Sequence, residues 1–244
     1  MNVRGKNRSI LTEEKMPDPS SEALLAKPGK NVDNDVNLVQ NTNAWRALHA
    51  YSSLLGGATN FAATILAFWR MSYNANMWVA VLFLVGSLAY FVVSLMELYV
   101  PTKDLTKRFI ISFSLVGYVF YTAGSAGMFP DFTDDDDAGF YSGNSQLMIW
   151  GFIFGSSFIG VSEVVDLHRL GRSPNGFFGD AANANMFGQK MGGILGSVCY
   201  LWGTAIIDIG GIFDAAATIW ILGSTSFLVG SFFLVYRHFV LDLA

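Results

Sequence analysis

Glu163 and Asp166 stand three residues apart in VSEVVDLHRL (161–170), at the end of a stretch otherwise apolar enough to lie in a membrane. A spacing of three places both on one helical face. An ionisable group within hydrocarbon is costly unless it has a partner or a task. Glu97, in LMELYV (95–100), occupies the register of Asp166 in an earlier apolar segment. Glu163, Asp166 and Glu97 therefore form a candidate cation or proton site near one mouth of a helical bundle. The competing reading has the carboxylates reaching to the interface and pairing with Arg169, Arg172 or Lys190.

Other chemistries find less support. His49, His168 and His238 all fall at the ends of apolar stretches on one side. Haem held between helices needs histidines at matched depth on different helices, which this arrangement does not supply. A transition metal could bind at that face with Glu163 or Asp166, but interfacial histidines beside basic loops explain the pattern without one. Cys199 is the only cysteine, so no internal disulfide or cysteine-built metal site can form. The chain has no Gly-x-Ser-x-Gly, no His-Glu-x-x-His and no phosphate-cradling glycine loop. FGSSFIG (154–160) sets serines among glycines, with no histidine at their depth. The expectation is a protein without catalytic residues, metal or cofactor. The acidic run DFTDDDDAG (131–139) lacks the alternating ligands and bidentate Glu of an EF-hand loop. It reads as a solvated loop that sets topology, or as a concentrator of cations at a mouth. Asn60 is the one amide at mid-depth, and a cross-helix hydrogen bond to Tyr121 or Tyr200 would account for it.

These residues are positioned by a strongly apolar chain: 52% of its 244 residues are hydrophobic, including 21 Phe. Roughly 20 apolar residues cross a bilayer, and six such stretches occur at about 47–69, 76–99, 108–129, 146–168, 189–210 and 213–237. Residues 1–45 are polar, of mixed charge and contain Pro and Gly, as a disordered tail would be. No apolar core follows the basic start, so no cleavable signal peptide is expected. Fourteen of the fifteen Lys and Arg fall on one side of a six-span arrangement, Arg70 being the exception. The opposite side carries Asp131, Asp134 to Asp137, Asp208 and Asp214. Positive charge marks the cytoplasmic face, so both termini are expected there. Nucleic acid is not an expected partner.

The spans repeat. LGGATNFAAT (55–64), VGYVFYTAGS (116–125) and LGSVCYLWGT (195–204) align without gaps through Gly56, Gly117 and Gly196, then through Asn60/Tyr121/Tyr200 and Thr64/Ser125/Thr204. The alternate spans align through Gly86-Ser87, Gly155-Ser156 and Gly223-Ser224. Helices in lipid associate by close backbone approach, which small residues allow. Gly56, Gly117, Gly196, Gly86, Gly155 and Gly223 are therefore read as helix-packing positions, with the lining of a pore or cleft as the alternative. The motifs FLVGSFF (227–233), WILGS (220–224) and LFLVGS (82–87) resemble the YrhK-like two-helix membrane domain. That resemblance covers single hairpins and implies a two-helix unit without catalytic residues.

The expected architecture is all-α: a polytopic membrane protein with six transmembrane helices arranged as three helical hairpin repeats. The tail covers 1–45 and the transmembrane domain 46–244, with hairpins at about 47–100, 106–170 and 188–240. The expected partners are the lipid bilayer and other membrane subunits or further copies of the chain. The expected role is a scaffold or accessory subunit of a membrane complex; the alternative is a small channel or transporter for a cation or small solute.

Overall fold

The computed structural model describes residues 42–69, 73–129, 145–209 and 213–242. They form six α-helices: α1 Asn43–Phe68, α2 Tyr73–Leu98, α3 Leu105–Ala126, α4 Ser145–Gly171, α5 Ala181–Asp208 and α6 Phe213–Phe239. No strand occurs among the described residues. The acidic run at 131–139 and Arg70 lie outside them, as does nearly all of the polar tail.

Three helix starts are fixed by side-chain caps. The Thr42 hydroxyl accepts from the Trp45 N–H at 3.2 Å. Asp104 accepts from the Thr106 N–H at 2.9 Å, and Asp180 from the Asn183 N–H at 2.7 Å. Each satisfies an amide that the first helical turn would leave unpaired. The Asp180 cap starts α5 at Ala181, well before the expected boundary near 189. The polar Asn183 and Asn185 precede the apolar stretch that set the expected boundary. In the fold, Asn183 ties the helix start to the preceding loop at Ser173 and Gly176. The Asn185 amide reaches across to the Phe233 carbonyl at 2.9 Å.

Five helices, α2 to α6, are long and apolar enough to cross a membrane. The count differs from the six expected because α1 is more polar. Its buried face carries Arg46, His49, Ser53, Asn60 and Thr64. That polarity points inward, where the neighbouring helices meet it.

Each helix packs against its neighbours in sequence, and α1 meets α6, so the six close into a ring. Aromatic side chains fill the middle. Phe83 from α2, Phe152 from α4, Tyr200 from α5 and Trp220 from α6 are fully buried. Their ring centroids lie 5.7–6.3 Å apart, within the range of favourable edge, tilted and stacked contacts. Tyr121 adds to the cluster on the α3 side, and Phe227 on the α6 side. Outward positions are apolar, among them Leu55, Leu88, Val119, Leu195 and Phe232, as a lipid-facing surface requires. Trp69, Trp78 and Trp150 are exposed near helix ends, where interfacial anchors sit.

The glycines permit this closeness, and the same contact recurs in three helix pairs. A Cβ on Gly56 would lie 2.8 Å from Tyr90, on Gly117 2.6 Å from Ile159, and on Gly196 2.7 Å from Phe227. Tyr90, Ile159 and Phe227 each follow a Gly-Ser glycine by four residues. In return, Gly86 lies under Asn60, Gly155 under Tyr121 and Gly223 under Tyr200. A side chain at any of these positions would force the neighbour it meets to shift.

Candidate functional site

Where Glu163 sits, the neighbouring helix is cut away. Gly193 of α5 faces it, and a Cβ there would lie 3.0 Å from the glutamate side chain. The α1–α6 joint has serines at the corresponding registers, with Ser53 donating to Ser231 at 3.0 Å. The glycine makes room for a longer side chain, and Glu163 turns toward Lys190, one helical turn back along α5.

The Lys190 ammonium lies 3.1 Å from Glu163 and 2.8 Å from Asp166. All three side chains are largely buried, between 13% and 18% exposed. Arg169 reaches Asp166 at 3.9 Å and makes a tighter pair with Asp104 at 2.7 Å. Desolvation pushes Asp104 up, but the Lys107 amide, the Arg169 charge and the Thr106 amide outweigh it. The Asp104 carboxyl stays below the ordinary carboxylate value. The structure thus brings Glu163 and Asp166 together around one ammonium.

Glu97 stands apart from that triad and faces a pair of histidines. His49 Nε2 lies 3.4 Å from the Glu97 carboxylate, longer than an ordinary hydrogen bond. On its other side, His49 Nδ1 meets His238 Nε2 at 3.0 Å. Of two neutral imidazoles at that distance, one must donate and the other accept. Trp45 stacks on the His49 ring with centroids 4.7 Å apart. Both histidines are buried, and beside them Arg46 pairs with the Asp242 carboxylate, tying the start of α1 to the chain beyond α6. His168, the third histidine, is exposed. Among the described residues no three His, Cys, Asp or Glu side chains converge as metal ligands would.

Between these groups lies a cavity of about 190 Å³, lined from all six helices. Glu97 and Asp166 are its carboxylates; Lys107, Arg169, Lys190 and Arg237 are its cations. His49, His238 and Gln189 add further polar groups, and Ile110, Ile111 and Leu234 an aliphatic wall. The cavity occupies the basic end of the ring axis, and the aromatic cluster fills the axis beyond it.

Asn60 differs from expectation. It is buried, but its side chain rests on Gly86, and its Oδ1 has no hydrogen-bond partner among the described residues. Tyr121, an expected partner, instead bonds Ser156 at 2.9 Å. Sequence reasoning also missed Lys107 and the His49–His238 pair. Lys107 read only as a loop base, and residues 49 and 238 meet because the ring closes, which no local pattern announces. The chain matches no protein-family model, no curated protein and no solved structure in the comparisons made.

Proposed function

We propose that the chain is a non-enzymatic integral membrane protein, a scaffold or accessory subunit of a membrane complex. In this reading three tandem hairpins, α1–α2, α3–α4 and α5–α6, cross the membrane six times with both termini in the cytoplasm. Each hairpin is a YrhK-like unit in the sense of the resemblance noted above. The reciprocal glycine contacts, repeated in all three pairs, support the repeat. The lone Arg70 against fourteen other bases supports the orientation. The polar face of α1 is inward and matched by α6, which supports counting it as a span.

One observation carries the functional reading: buried aromatic rings fill the middle of the ring of helices. Conduction requires a continuous polar path, and Phe83, Phe152 and Trp220 interrupt one. What remains accessible is an outer surface of exposed apolar side chains, suited to lipid and to other membrane helices.

The alternative, a channel or transporter for a cation or small solute, draws on the charged cavity. Asp166 on its wall and Glu163 beside it are both engaged by Lys190, which disfavours a free cation site. The scaffold reading is tested by comparing native membranes with the isolated chain. Extracted in mild detergent, the protein should migrate as a larger assembly than the same chain purified alone. Migration at one size in both preparations would refute it.

A further inference from the structure

We infer that the cavity at the basic end of the bundle binds a small zwitterion of the α-amino-acid class. The ligand's carboxylate would lie toward Lys107 and Arg237, and its ammonium toward Glu97 and the Gln189 amide oxygen. The inference goes beyond the scaffold reading and stands or falls independently of it.

The first ground is charge. Four cations line the cavity, and four carboxylates answer them: Glu97 and Asp166 on its wall, Glu163 on Lys190, and Asp104 on Arg169. A simple anion would enter against Glu97 and Asp166. A simple cation would meet Lys107, Arg169, Lys190 and Arg237. A molecule carrying both charges meets neither penalty, because each end faces its complement.

The second ground is an unpaired acceptor. Gln189 lines this wall, and its Oε1, closed to solvent, has no hydrogen-bond partner among the described residues. A buried acceptor left unpaired costs free energy, which a ligand N–H would recover once the amide turns toward the cavity. The amide sits near Lys190, whose own bonds to Glu163 and Asp166 hold that stretch of α5 in place. The third ground is shape. Ile110 and Leu234 are buried, and with Ile111 they give the cavity an apolar side able to take an aliphatic chain. A concave site with an apolar wall and a few convergent polar groups is the usual form of a small-molecule site.

The test uses the full chain in lipid nanodiscs and isothermal titration calorimetry with three matched probes. L-leucine carries both charges, 4-methylpentanoate lacks the amine, and 3-methylbutylamine lacks the carboxylate. L-leucine should bind saturably, and each truncated probe should bind about tenfold or more weakly. Glu97→Gln and Lys107→Gln should each weaken L-leucine by about tenfold, while Lys107→Arg retains binding. No L-leucine binding up to about 10 mM, or equal binding of either truncated probe, would overturn the inference. The three-probe comparison on the unmodified chain decides the matter even if a variant fails to fold.

Discussion

Lys190 holds two carboxylates, and this makes its removal and theirs unequal. Without the lysine, Glu163 and Asp166 face each other largely buried; without Glu163, the ammonium still has Asp166 at 2.8 Å. Breaking a buried ion pair from the side that leaves charge uncompensated costs about 3–5 kcal/mol. Lys190→Gln should therefore lower thermal stability in detergent by that order, and Glu163→Gln by much less. Equal losses in the two variants would contradict the triad. This site was half legible in the sequence. The helical spacing of Glu163 and Asp166 was readable, and Lys190 stood among three possible bases. Its choice depends on Gly193, which opens the α4–α5 joint at the needed depth. Asn60 shows the opposite case, where the residue was noticed and the partner misjudged. A row of aligned helices does not reveal which side chain turns sideways onto a glycine.

Glycines close the seams within each pair, and hydroxyl bonds recur at the α2–α3 and α6–α1 seams, with Ser114 and Ser162 adding one inside the α3–α4 pair. Ser87 and Ser125 lie 2.9 Å apart across α2 and α3, and Thr64 and Ser224 lie 2.8 Å apart across α6 and α1. At the α4–α5 joint the pattern differs, because Ser156 bonds Tyr121 instead and the charged triad is present. Gly196→Leu should force α5 from α6 against Phe227 and lower the melting temperature by several degrees. Gly176 has no atom within 4 Å of a built Cβ, but its φ of +56° would strain a leucine there for a backbone reason instead of a helix contact. No loss for Gly196→Leu would deny the close contact. The cap at Asp180 gives a pH dependence with a fixed sign. The Asn183 amide, then the Asn175 side chain, hold its carboxyl below the ordinary 3.8. The stabilisation is complete above that value and is lost as pH falls through the depressed one. Hydrogen-exchange protection of the first turn of α5 should fall in that acid window, and Asp180→Asn should remove the dependence while keeping the cap. Protection unchanged by acid would exclude the carboxylate as the cap. The early start of α5 escaped the hydrophobic pattern because its polar side chains serve inward and loop contacts.

At the scale of the molecule, helix number and order were readable from apolar length and loop spacing. Ring closure was not, because it rests on residues near opposite ends of the chain, such as His49 with His238 and Arg46 with Asp242. The proposed orientation predicts that a cysteine at position 140, in a Cys199→Ser background, is labelled from outside intact cells. Labelling only after permeabilisation would invert the topology. The account rests most heavily on the filled centre of the ring. Phe83, Phe152, Tyr200 and Trp220 are fully buried in the middle, and none of them lines the charged cavity. One charged site near one face cannot relay an ion across about 30 Å of hydrocarbon. The decisive measurement is cation flux, including protons, from liposomes containing the purified full chain. The account predicts flux equal to that of empty liposomes, with and without Glu163→Gln. Saturable cation flux that Glu163→Gln abolishes would contradict it.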